Sequence, residues 1–334
     1  MTFKPIYKLK DWINEEKLDW DGLSQNPNAI GYISKNISQI NWSNLASNSN
    51  GVDLIEQNLD KLAKELYCYY FQRICSNLCC NPNAIRLLDH PRMLIEWNML
   101  SDNPNAVTFL EKNIERINWN ILCYNPSAIK LLENNKEFIN YQLLSDNPNA
   151  IHLLNENLEF VDWLWLSSNT GAVSILEKNL DKVEWKELSE NPSAIGIIEQ
   201  NLDKIKWKYL CKNPGAIHLL EKNINKIDWS QIVRNPNAVE LISKNLDKLD
   251  DKSWENLQKI QDPLVIDILK ENQDKIVWRV LSFNPFIFEL DKQLMRDKCM
   301  DFAEELAAYV FHPERIIRFS KLGGMDFYDY MEIF

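Results

Sequence analysis

Cysteine and histidine come together in one stretch of this chain, where Cys68, Cys75, Cys79 and Cys80 precede His90. Thiolate with imidazole is the ligand set of structural zinc, which favours C-x2–4-C pairs. Cys75-x3-Cys79 has that spacing, but no second pair accompanies it. Cys79, Cys123 and Cys211 also stand in one register, because 123 − 79 = 44 and 211 − 123 = 88 are both multiples of 22. These thiols therefore read as small buried hydrophobes in a repeated core, and neither a metal nor a cofactor is expected. His152 and His218 lie three periods apart, at a variable place in the same register, and read as part of a solvated helix face. The nucleophile elbow, the zincin helix, the phosphate loop and the Rossmann glycines are all missing. No catalytic residue is assigned, and the chain is not expected to be an enzyme.

The aromatic residues are the other chemistry on offer. Trp97, Trp119, Trp163, Trp185, Trp207 and Trp229 recur with the same period, and Tyr141 fills the gap in the series. Some repeat proteins stack RNA bases on side chains at fixed intervals. Invariance beside an apolar column is what a core requires, however, whereas a recognition code needs variation. These rings are therefore expected to be structural. Net charge is −11, which disfavours a phosphate-tracking surface, so a nucleic-acid partner is not expected.

The elements that position these residues come from one repeated unit. Asn-Pro recurs at Asn26, Asn81, Asn103, Asn125, Asn147, Asn191, Asn213, Asn235 and Asn284, and 103 − 81 = 22 is the commonest interval. Asn48, Asn169 and Asp262 fill the remaining slots, which makes eleven units and a degenerate twelfth from Asn284. Two intervals are longer, Asn48 to Asn81 (81 − 48 = 33) and Asn235 to Asp262 (262 − 235 = 27). The unit reads Asn-Pro-Asn-Ala-Ile-x-Leu-Leu-Glu-Lys-Asn-Leu-Asp-Lys-Ile-x-Trp-x-x-Leu-Ser-x, numbered here as positions 1 to 22.

Asn at position 1 is an N-cap, with Pro at the first helical residue, where a missing N–H does no harm. Apolar residues at positions 4, 5, 7 and 8 make one helical face. Asn at position 11, as in Asn113, Asn135 and Asn157, is expected to end that helix in the left-handed conformation. A second cap at position 16 precedes Trp, with apolar positions 15 and 20 spaced as a hydrophobic staple. Helices this short are marginal alone, so stacking must stabilise them. The repeated asparagines, among them Asn103, Asn125, Asn147 and Asn191, are expected to form hydrogen-bonded ladders between units. The expected fold is all-α, a right- or left-handed α-solenoid of eleven two-helix repeats forming an arc, with a cap at each end. Its divisions are an N-terminal cap at 1–25, the array at 26–283, and a degenerate repeat with a helical cap at 284–334.

Interruptions mark special places. The longer gap inserts residues 63–73, and with no Gly or Pro over 59–80 it predicts one long helix protruding from the array. The 250–254 insertion predicts a lengthened second helix or loop. A continuous helix is expected over 290–311, then a short one from His312-Pro313-Glu314, stopped by Gly323-Gly324. The unit Leu-Ser-x-Asn-Pro-Asn-Ala-Ile-x-Leu-Leu-Glu-x-Asn resembles the Asn-rich repeat proteins encoded by large DNA viruses of amoebae. The terminal Phe311-His312-Pro313-Glu314-Arg315-Ile316 resembles tails of proteins from the same viruses. The resemblance covers roughly residues 20–320 and implies a viral origin and a place in host cytoplasm or virion, with no particular biochemistry.

Function is expected where a variable position changes character. Position 14 is usually polar or basic, yet it becomes Phe138 and Phe160 in consecutive units, with Trp165 nearby at position 19. Surface aromatics mark binding hot spots. The run Tyr67, Tyr69, Tyr70 and Phe71 is a second candidate. A third is the basic cluster of Lys204, Lys206, Lys208 and Lys212, flanked by Lys182, Lys186 and Lys226. An odd cysteine count, the absence of an apolar leader and the lack of any long apolar run predict a soluble cytoplasmic chain without membrane contact. The expected role is a non-catalytic scaffold for a protein partner, with a monomer favoured. A virion structural component is the alternative, followed by repeat-based RNA binding.

Overall fold

The computed structural model describes residues 5–66, 68–310 and 312. Among them the chain is mostly helical, in short pieces, with a single two-stranded ribbon. Residues 10–287, where described, form one unit; the described residues among 5–9 and 288–312 belong to another.

Local chemistry builds each repeat in three parts. In the repeat beginning at Asn125, the Asn125 side-chain oxygen accepts the Ser127 N–H at 3.0 Å, and a helix follows over Ile129–Glu133. A 3-10 turn occupies Lys136–Phe138, and Asn140 then caps the helix Tyr141–Leu144 by accepting from Gln142 and Leu143. The intervening Asn135 does not take the left-handed conformation expected of position 11; its φ is −138° and ψ is 51°. Its side-chain amide instead donates to the Leu131 carbonyl, four residues back, at 2.8 Å. That bond satisfies a carbonyl the ending helix leaves open, so no positive φ is needed. Asn113, Asn157, Asn179, Asn201, Asn223, Asn245 and Asn272 repeat it.

Neighbouring repeats are joined by buried asparagine amides. Asn125 donates to the carbonyls of Ser101 and Asn103, and Asn147 to those of Cys123 and Asn125, at 2.8 to 3.1 Å. Asn48, Asn81, Asn169, Asn191, Asn213 and Asn235 also make both bonds, and Asn103 bonds the Cys79 carbonyl. A second thread runs through position 21. Ser101 Oγ donates to the Trp97 carbonyl and accepts the Asn118 N–H at 3.1 Å, while Ser145, Ser167 and Ser189 accept from Asp162, Glu184 and Lys206. A buried amide left unpaired costs about 1–3 kcal/mol, so this lattice ties each unit to one register on its neighbour. Among the described residues no buried side-chain nitrogen or oxygen lacks a partner.

The same lattice joins the two ends of the array. Asn26 donates to the carbonyls of Ser282 (3.1 Å) and Asn284 (2.9 Å), as Asn48 does to Ser24 and Asn26. Ser282 Oγ accepts the Asp19 N–H at 2.8 Å, and Asn28 donates to the Pro285 carbonyl. Residues 10–25 therefore do not shield a free end, as the expected N-terminal cap would. They stack on the last repeat, and unit 10–287 closes head to tail. Gly22 lies at this joint, where an added Cβ would stand 2.7 Å from Ser282 Cβ. The joint between Asn235 and Asp262 differs: a carboxylate cannot donate, and Asp262 only accepts the Leu264 N–H. There the helices Val239–Ser243 and Pro263–Glu271 pack through buried Leu241, Ile242, Val265 and Leu269.

Both insertions stay within the array. Residues 59–80 do not form one protruding helix. They make Leu59–Glu65 and Cys68–Cys80, with Leu66 extended at ψ 147°. The second of these packs on Trp42–Ser47 through buried Phe71, Ile74, Cys75 and Leu78, because its apolar residues recur at helical spacing. At 250–254 the second helix is lengthened to Asp251–Leu257 and capped by Asp250. There Gln258 replaces the usual Ser, donating to the Trp254 carbonyl and accepting the Val277 N–H.

In the other unit, Tyr7–Leu9 pairs antiparallel with Phe288–Leu290, a ribbon the all-α expectation did not contain. The helix Lys292–Val310 follows. Beyond His312, the expected helix through Pro313-Glu314 and its Gly323-Gly324 stop fall outside the described residues.

Candidate interaction surface

The tryptophans expected in the core are half-buried instead. Trp97, Trp119, Trp163, Trp185, Trp207 and Trp229 each leave part of the ring at the surface, whereas Trp254 is buried. The reason is geometric: these rings begin their helices beside the turn of the next unit, and at Trp119, Trp163, Trp185 and Trp207 position 14 of that turn lies over the ring. Lys182 Nζ lies 4.9 Å from the Trp163 ring, Lys204 5.0 Å from Trp185, and Lys226 4.3 Å from Trp207. Lys17 over Trp278, at 5.5 Å, repeats the motif across the closing joint. A cation on an aromatic face at such a site stabilises by about 0.5–1 kcal/mol.

Phe138 and Phe160 occupy this same place. Phe138 stacks on Trp119 at 4.7 Å with 16° between planes, and Phe160 lies 6.1 Å from Tyr141. Their packing partners are thus the rings of the preceding units, and the two phenylalanines are not paired with each other. Even so, Phe138 is 47% and Phe160 55% exposed. Trp165, in the helix Trp163–Ser168, is 43% exposed beside the exposed Leu164, and the stacks of Phe138 and Phe160 do not include it.

The run near residue 70 separates into different roles. Tyr69 is 81% exposed, Tyr70 is half-buried and its hydroxyl donates to Asn41 at 3.1 Å, and Phe71 is buried. Phe71 is therefore a core residue and not a binding residue, because it lies on the packed face of Cys68–Cys80. Tyr67 lies outside the described residues. Apolar position 12 was missed as surface by sequence reasoning: Ile37, Ile114, Leu202 and Ile224 are exposed, since the short turn there directs them away from the core. Nothing in their residue type signals it.

The basic cluster is held within the lattice. Lys186 and Lys212 flank the Tyr209 ring at 5.0 and 4.9 Å, and they pair with Glu187 and Glu190 at 2.7 and 2.8 Å. The Glu187 hydrogen bond raises the Lys186 ammonium above its ordinary value. His152 and His218 each bind a carboxylate of the preceding unit, Glu133 at 2.6 Å and Glu199 at 2.8 Å. Cys79 and Cys211 take the position-21 role of Ser, accepting the Glu96 and Asp228 N–H groups. Burial pushes the Cys79 thiol up to about 11. Among the described residues no group of three or more His, Cys, Asp or Glu is arranged to hold a metal ion. No helix among them is long and apolar enough to cross a membrane.

The chain matches no protein-family model, no curated protein and no solved structure.

Proposed function

We propose that this chain is a non-catalytic helical-repeat scaffold that binds another protein, built as eleven two-helix units with a degenerate twelfth. The carrying observation is the exposure of Phe138 and Phe160 on consecutive units, at the place where the following units present lysine, with Leu164 and Trp165 also exposed in the second of these units. Large aromatics on a surface are the residue type most enriched among binding hot spots. A lattice that pairs every buried amide among the described residues holds such side chains in place before binding, which lowers the ordering cost of association. The likeness of the repeat to proteins of large DNA viruses supports a role in an infected cell or a virion. Affinity capture from expressing cells, comparing the natural chain with a Phe138→Ala, Phe160→Ala variant, tests the reading. Loss of specific partners in the variant is expected; an unchanged partner set refutes the aromatic surface as the binding site.

A further inference from the structure

The exposed phenylalanines interrupt a pattern that the chain completes elsewhere. In neighbouring units, position 13 is a carboxylate, position 14 a cation, and the cation faces the ring of the preceding unit: Asp181-Lys182 with Trp163, and Asp203-Lys204 with Trp185. At Glu137-Phe138 and Glu159-Phe160 the carboxylate is kept, but phenylalanine takes the cation's seat over the preceding ring and leaves its own outer face exposed. Glu137 and Glu159 are exposed and enter no ion pair among the described residues. Charge follows the same division. Residues 125–168 hold six carboxylates and two lysines, 2 − 6 = −4, whereas residues 169–212 hold seven of each sign and are neutral.

We infer that the Phe138 and Phe160 surface binds a basic peptide segment, whose arginine or lysine side chains lie on the two ring faces and pair with Glu137 and Glu159. This deepens the scaffold reading and rests on it. An acidic segment would meet net negative charge, and a purely apolar one would strip water from two carboxylates without replacing it. A cation can stack on the exposed phenylalanine face and pair with the neighbouring carboxylate at once. Adjacent units stand about one helix width apart, roughly 10 Å. A peptide in the polyproline II conformation has three residues per turn and rises about 3.1 Å per residue, so a basic residue at every third position returns to one face at about that spacing.

The test uses the full chain and a fluorescein-labelled nonapeptide of three Gly-Ser-Arg repeats, read by fluorescence anisotropy. Matched peptides carry Leu or Glu in place of Arg. The Arg peptide is expected to bind, more weakly as salt rises, and the Leu and Glu peptides are not. Phe138→Lys with Phe160→Lys installs the residue used at this place in other units, so the fold is expected to persist, as circular dichroism and the melting temperature will report. That variant should weaken Arg-peptide binding roughly tenfold or more, and Glu137→Gln with Glu159→Gln should weaken it several-fold and flatten its salt dependence. Equal binding to the natural chain and the double-lysine variant would mean diffuse attraction to a chain of net charge −11, and would overturn the inference. Absence of Arg-peptide binding at low salt would also overturn it. Preferential binding of the Leu peptide, lost in the Phe138→Lys, Phe160→Lys variant, would overturn the basic partner while leaving the protein-binding surface intact.

Discussion

Replacing Asn26 with alanine separates a closed array from an open one. The Asn26 side chain makes three hydrogen bonds: it accepts from the Asn28 N–H at 3.0 Å and donates to Ser282 and Asn284 at 3.1 and 2.9 Å. Asn147, far from either end, makes the equivalent set with Asn149, Cys123 and Asn125. Loss of the capping bond costs about 1 kcal/mol. Loss of the two inter-unit bonds costs about 1 kcal/mol each, and more where water cannot reach the abandoned carbonyls. Both asparagines are fully buried. Closure therefore predicts that Asn26→Ala and Asn147→Ala destabilise equally, by about 3–5 kcal/mol. At an open end Asn26 would face solvent, and its loss would cost little beyond the cap. Urea unfolding measures the difference, and hydrogen exchange across Trp278–Leu281 should accelerate in Asn26→Ala alone. An Asn26→Ala cost of about 1 kcal/mol beside a full Asn147→Ala cost would refute the closed lattice.

Four further outcomes follow from the packing. Gly22→Ala forces a Cβ against Ser282 and should cost about 1–3 kcal/mol. Gly196→Ala, inside a helix with nothing within 4 Å of the added Cβ, should stabilise by about 0.5–1 kcal/mol, both read from urea midpoints. Phe71→Ala should cost about 3–5 kcal/mol and Tyr69→Ala within about 0.5, so similar melting temperatures for the two variants would contradict the placement of the Cys68–Cys80 helix. Burial raises Cys79 from an ordinary 9.0 to about 11 and also raises Cys75, Cys123 and Cys211. The folded thiols keep protons that the unfolded chain releases. Their stabilising contribution is thus complete below about pH 9 and declines as pH climbs toward 11. Unfolding at pH 8 and pH 10.5 should show the decline, reduced in Cys79→Ser; a flat profile would count against these thiols being buried.

Much of this was legible because short-range chemistry repeats. Asn, Asp and Ser at fixed offsets announce caps, and Asn41, Asn118, Asn140, Asp162 and Asp228 do accept from the first turns of their helices. The asparagine ladder was legible for the same reason, since a polar side chain recurring in an apolar period must find a partner. The candidate surface was legible only in part. Phe138 and Phe160 stood out as exceptions, but their role as covers for Trp119 and Tyr141 depends on which unit's turn meets which unit's helix. Trp at a recurring position suggested a core, although the short turn of the next unit covers too little of an indole to bury it. Phe71 and Tyr69, two residues apart and on opposite sides of one helix, are assigned opposite fates by the face each occupies, and that face is chosen by what packs there.

The repeated unit, its helix ends and the chemistry joining one unit to the next could all be read from residue order, because each is settled within one repeat and its neighbour. That Asn26 finds Ser282 and Asn284 could not be read that way. Closure sums a small rotation at every joint, including the two lengthened units and the Asp262 joint that lacks an amide bridge. No single unit carries that sum. The bonds that Asn26 makes at the closing joint are those that Asn48 and Asn147 make inside the array, so nothing in the first or last unit marks them as an end.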